Sequence, residues 1–108
     1  MIALDIEPIL HELKTELRNL YGDRLAQMIL FGSHARGDSH DDSDIDLLIL
    51  LKDETISFYQ EMRRMSSLIT DINLTYNILL SVLPDTEIRY QKSQIPIFQE
   101  IKRDGILV

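Results

Sequence analysis

The 108-residue chain is expected to fold as α+β, or an α/β-like layer, with helices packed on a small sheet. Helical and strand-like patterns alternate along it. The run Leu47–Leu51 is apolar without interruption, as a central strand requires. No repeat, linker or low-complexity tract divides the chain, and its length suits a single domain spanning residues 1–108.

From Asp5 to Leu20, the apolar residues Ile6, Ile9, Leu10, Leu13, Leu17 and Leu20 recur at steps of three and four. This is one face of a helix, with Asp5 placed to cap it and Gly22 just past its end. "RLAQMILFGS" reads as a short buried strand stopping at Gly32, and "SDIDLLILL" as the second strand. "SFYQEMRRMSSLITDI" puts Phe58, Met62, Met65, Leu68, Ile69 and Ile72 on one helical stripe, with Ser57 as its cap. "LTYNILLSVLP" is predicted to be a third strand ended by Pro84. "PDTEIRYQKS" and "IPIFQEIKRDG" are read as two short helices, the second closing at Gly105.

Composition narrows the function. With 44% hydrophobic and 27% charged residues the chain is an ordinary globular one. Its formal net charge of −7 argues against a binder that works by neutralising nucleic-acid phosphates. The first 51 residues hold most of that excess. The absence of cysteine removes disulfides and thiolate metal sites, and fits a cytoplasmic protein. The N-terminal "MIALDIEPILHEL" lacks the basic start and apolar run of a signal peptide, and no stretch has the ~18 apolar residues of a membrane span.

The chemistry concentrates in "FGSHARGDSHDDSDIDLLIL", where a glycine-rich turn precedes a cluster of aspartates. Residues 32–39 come close to a P-loop, but Asp38 stands where the phosphate-clamping lysine is needed. Residues 42–53 come close to a calcium loop, but Leu47 replaces the glycine of its sharp turn. A third reading satisfies both halves. Gly32 and Ser33 end a strand and lead into a helical turn whose free N–H groups can face phosphate, and Gly37 turns the chain back. Asp44 and Asp46, two apart at the head of a strand, project from one face. Paired carboxylates opposite a phosphate cradle suit Mg²⁺, which takes oxygen ligands from one or two carboxylates and from substrate phosphates.

The pattern G-S-x-x-x-G followed by S-D-x-D at the head of an apolar strand resembles the signature of the polymerase-beta-like nucleotidyltransferase superfamily. It looks most like the minimal nucleotidyltransferases (MNT proteins), small domains encoded with HEPN-domain ribonuclease toxins and acting as their antitoxins. The resemblance implies a small mixed sheet with helices packed on it, ATP and Mg²⁺ as cofactors, and transfer of AMP to a tyrosine of the toxin, as in type VII-like pairs. Gly32, Ser33 and Arg36 would contact the nucleotide, while Asp44 and Asp46 would be catalytic and hold metal. The family places a third acid on the next core strand. Here "LTYN" is expected to supply Asn77 at that catalytic position, a neutral amide that cannot accept a proton at neutral pH. Two other functions remain open: an antitoxin that neutralises its toxin by binding alone, and a transferase acting on a small molecule.

The other polar residues are read more plainly. Asp38, Asp41 and Asp42 are expected in a surface loop, and His34 and His40 as exposed loop residues without metal-ligand spacing. Met62 and Met65 are expected to fill the core.

Overall fold

Seven consecutive residues, Ile45–Leu51, form the strand around which the chain is built, and all of them but Asp46 are buried. The computed structural model describes residues 6–40 and 43–108. In chain order the elements are α1 (Glu7–Tyr21), a 3₁₀ turn (Gly22–Arg24), β1 (Leu25–Phe31), α2 (Ser33–Arg36) and β2 (Ile45–Leu51). Then follow α3 (Phe58–Tyr76), β3 (Leu80–Thr86), α4 (Glu87–Lys92), α5 (Pro96–Asp104) and β4 (Ile106–Leu107). The sheet order is β3-β2-β1-β4. β1 runs antiparallel to β2 and β4, whereas β2 and β3 are parallel, so the sheet is mixed as expected.

Alternation along the strands sends two sets of side chains to opposite faces. Met28, Leu30, Leu47, Ile49 and Leu51 pack under α1 and α3 with Leu13, Leu17, Met65 and Ile72. Ile29, Leu48 and Leu50 pack under α5 with Phe98 and Ile101. Burying each such side chain contributes roughly 1.5–3 kcal/mol, so β2, apolar on both faces, anchors both layers. Leu20 is an exception to the expected α1 stripe and is exposed.

The helix ends follow local chemistry. Gly22 takes φ 56° beyond α1, and Ser57 accepts a hydrogen bond from the Gln60 amide at the start of α3. The expected Asp5 cap lies outside the described residues. Among the described residues, no helix is long and apolar enough to cross a membrane.

The third strand departs from expectation. α3 continues through Tyr76, absorbing residues read as strand, and Asn77 ends it in the left-handed conformation with φ 52°. Asparagine tolerates that conformation better than most residues. Tyr76 favours the helix too, since its hydroxyl donates to Glu12 of α1 at 3.1 Å. The strand begins at Leu80, whose amide donates to the Asn73 Oδ1 at 2.9 Å, and it runs past Pro84. The bond from the Ile45 amide to the Leu79 carbonyl turns the odd-numbered residues of β3 toward β2. Pro84, which has no N–H, therefore faces the open edge of the sheet, where proline is tolerated.

Two further features carried no periodic signal. β4 is a two-residue strand pairing Leu107 with Ile29. Glu61 is buried and accepts from the Tyr21 hydroxyl at 2.9 Å, with Arg24 at 3.5 Å and Arg64 at 3.8 Å. It joins α1 to α3.

Candidate active site

The site forms where β1 ends and β2 begins. Phe31 pairs with Asp46 across the antiparallel ladder, which brings the next residue, Gly32, against the Asp46 side chain. Gly32 has φ 72° and ψ −155°, a conformation costly for any residue with a side chain. A Cβ there would fall onto the Asp46 carboxylate. The turn thus depends on glycine twice, for its dihedrals and for this close approach.

Beyond Gly32 the chain winds into the single turn of α2. The Ala35 and Arg36 amides both donate to the Gly32 carbonyl at 3.1 Å. The Ser33 and His34 amides, first in the turn, have no acceptor inside it. Gly37 closes the turn at φ 83°. Arg36 is exposed and pairs through Nε with Asp38 at 3.3 Å.

Asp44 and Asp46 share the face of β2 that carries Leu48 and Leu50, the face toward α5. Burial raises the Asp46 carboxyl above its ordinary value, and the Asp44 charge raises it further. The neighbouring Ser81 hydroxyl, His34 and Arg36 act the other way. A pair of neighbouring carboxylates, one of them resisting ionisation, beside a backbone turn fits a hard divalent cation. Asp44 and Asp46 would hold it. Among the described residues no third His, Cys, Asp or Glu completes a metal cluster.

The expected third position needs correction. Asn77 is not on a strand; it caps α3, exposed, outside the sheet. The parallel register instead puts Ser81 beside Asp46. Neighbours across a parallel pair project to the same face, so Ser81 is the β3 residue alongside the carboxylates.

His34 also differs from expectation. It is buried at 8% exposure, and its Nε2 lies 3.3 Å from the Ser43 carbonyl. His40 is exposed as expected, and Asp38 is exposed but paired with Arg36. Asp41 and Asp42 lie outside the described residues.

One wall of the site comes from a distant part of the chain. A cavity of about 550 Å³ opens between the Gly32-Ser33 turn and α5. Phe31, Arg36 and Asp46 line one side; Glu100, Ile101 and Arg103 line the other. Arg103 is held by Asp104 at 2.9 Å. The sequence reads α5 as a short helix, but nothing local ties its polar face to Gly32.

A mixed sheet with a Gly-Ser turn facing an Asp-x-Asp strand defines a nucleotidyltransferase-type domain. The comparisons agree: the nucleotidyltransferase domain family matches residues 10–103, and this chain belongs to it. The chain is 32% identical over 106 residues to MJ0141 of Methanocaldococcus jannaschii, named as a candidate protein adenylyltransferase, covering 97% of this chain and 100% of that relative. It resembles in fold a candidate minimal nucleotidyltransferase (TM-score 0.60, 17% identity, 95% of both chains). It also resembles a chain from a toxin–antitoxin crystal structure with AMP-PNP, with TM-score 0.61 and 19% identity over 88% of this chain and 68% of that one. The likeness to a minimal nucleotidyltransferase therefore holds for the fold, and membership of the nucleotidyltransferase domain family for the sequence.

Proposed function

We propose that this chain transfers AMP from ATP, with Mg²⁺, to a tyrosine hydroxyl of a cognate HEPN-domain toxin in the cytoplasm, and so acts as its antitoxin. The observation that carries the reading is the abutment of Gly32 on Asp46, which sets backbone without a side chain against one of the two carboxylates. Kinship with a candidate protein adenylyltransferase and structural likeness to toxin–antitoxin chains support the protein acceptor.

In this reading the partner's hydroxyl oxygen attacks the α-phosphorus, the bond to the pyrophosphate oxygen breaks, pyrophosphate leaves and the hydroxyl proton passes to solvent. Bound Mg²⁺ would neutralise triphosphate charge while held by Asp44 and Asp46. The chain contributes position and electrostatics, the main resources for such transfers. Gly32 admits phosphate to the main chain, the Ser33 and His34 amides donate to it, and Arg36 supplies a cation at the cavity mouth.

A second reading, neutralisation by binding alone, draws on Ser81. A hydroxyl beside Asp46 brings no negative charge and takes no proton at neutral pH. Intact-mass measurement separates the two. The protein is mixed with the product of a neighbouring HEPN gene, ATP and Mg²⁺. Added AMP supports transfer, and a stable complex of unchanged mass supports the binder. Neither complex nor added mass sinks both.

A further inference from the structure

The buried imidazole of His34 does more than fill space. α2 has four residues, too few to hold its own shape, because a helix this short has not offset the cost of nucleation. It needs support from outside. His34 is its buried polar side chain, and Nε2 reaches the Ser43 carbonyl 3.3 Å away, nine residues along the chain. A carbonyl only accepts, so Nε2 carries the proton.

Ser43 is itself fixed. Its amide donates to the His40 carbonyl at 3.0 Å, and its Oγ accepts from the His40 amide at 2.8 Å. The next residue is Asp44. The bond from His34 thus joins the Gly-Ser turn to the residue directly before the carboxylate pair, across the open side of the loop. On the other side the two are joined by the β1–β2 ladder, which ends at the Phe31–Asp46 pair, and by the contact of Gly32 with the Asp46 side chain.

We infer that His34 is a positioning residue whose Nε2–H tether to the Ser43 carbonyl sets the separation between the phosphate-facing turn and Asp44. The inference rests on the site reading proposed above. Losing the tether leaves each half intact but lets their spacing vary, so it weakens binding of a ligand that spans both. Nδ1 meets no hydrogen-bond partner among the described residues. A residue kept only for packing gains nothing from that open acceptor, and an apolar ring of similar size would avoid its cost of ~1–3 kcal/mol.

Two variants test this. His34→Phe keeps a ring in the buried position and removes the donor, while His34→Gln keeps an N–H near the Nε2 position. Calorimetry measures ATP affinity with Mg²⁺ and with EDTA, and amide exchange at Ser43 is followed in the ligand-free protein. His34→Phe is expected to weaken Mg²⁺-dependent ATP binding about tenfold, or ~1.4 kcal/mol. It should also speed Ser43 exchange while leaving the core amides of β2 protected. His34→Gln should stay within about threefold of wild type on the same scale. Wild-type affinity and unchanged Ser43 exchange in His34→Phe overturn the tether, as does a His34→Gln variant no better than His34→Phe. Should the wild type itself fail to bind ATP with Mg²⁺, the proposed function fails, and Ser43 exchange still decides whether the tether exists.

Discussion

Ser81→Asp is the substitution that most directly probes the chemistry. Ser81 and Asp46 are lateral neighbours on parallel strands, and strands lie about 4.8 Å apart. A carboxylate at residue 81 therefore sits about 5 Å from that of Asp46. Two unit charges at that separation repel by roughly 1–3 kcal/mol for effective dielectrics between about 80 and 20. Ser81 is exposed, so screening selects the lower end, ~1 kcal/mol. The variant also loses the Ser81 hydroxyl, which favours ionised Asp46. Without metal it should melt about 4 °C lower than the wild type. With Mg²⁺ and nucleotide the third anion becomes a ligand, the deficit should vanish, and Mg²⁺ should bind more tightly. If AMP transfer is limited by the missing acid, its rate should rise about tenfold, equal to ~1.4 kcal/mol of transition-state stabilisation. The assays are calorimetric melting with and without Mg²⁺, and a single-turnover measurement of AMP transferred to the partner. Unchanged melting, metal affinity and rate would refute the placement of Ser81 beside the carboxylates. An inactive wild type and an active variant would identify a binder descended from an enzyme.

Three other perturbations follow from the same geometry. Asp44→Asn combined with Asp46→Asn should abolish nucleotide transfer while preserving the fold. The Asp46 carboxyl is raised in the folded state, so its stabilising effect is present below its unfolded pKa and is lost as pH rises through the folded value. Urea unfolding of metal-free protein across the acidic range should show that decline in the wild type and a smaller one in the double variant; identical profiles would contradict the shift. Gly32→Val should cost on the order of 1–3 kcal/mol in backbone strain and displace the Asp46 carboxylate. ATP affinity by calorimetry should fall well below detection, and wild-type affinity would mean that phosphate binds elsewhere. Glu61→Gln should destabilise the fold by ~1–3 kcal/mol, since it weakens the buried acceptor shared by Tyr21 and Arg24; equilibrium unfolding with unchanged ATP affinity is the expected pairing.

How much of this was legible depends on how far apart in sequence the cooperating residues lie. Gly32, Ser33, Asp44 and Asp46 fall within one strand–turn–strand unit, so spacing alone brought them together, and the β1–β2 register agrees. The apolar run Leu47–Leu51 announced a central strand because both of its faces are covered. The third strand was harder. Residues 74–79 carry enough apolar and β-branched character to extend a strand backward, yet Tyr76 gains a partner in Glu12 only when α3 continues. That preference is tertiary and leaves no local trace. Reading Pro84 as a terminator failed for a related reason. Proline stops a strand paired on both sides, and nothing in the sequence tells which side of β3 is open.

The displacement of the third position from Asn77 to Ser81 has a physical origin of the same kind. Register between parallel strands joined by a helix is set by where that helix ends, and α3 ends at an asparagine in left-handed conformation with the next turn pinned by Asn73. A shift of four residues preserves the alternation of faces, so the hydrophobic pattern on β3 fits either register. Leu80 and Val82 still pack toward α1 and α3, and Leu83 still packs toward α5. The ladder from Ile45–Leu80 through Leu51–Thr86, opened by the bond from the Ile45 amide to the Leu79 carbonyl, distinguishes the two registers. The residue beside Asp46 is therefore settled by the whole β2–β3 ladder, and in the proposed transfer a hydroxyl rather than an amide would lie beside the metal-holding carboxylates.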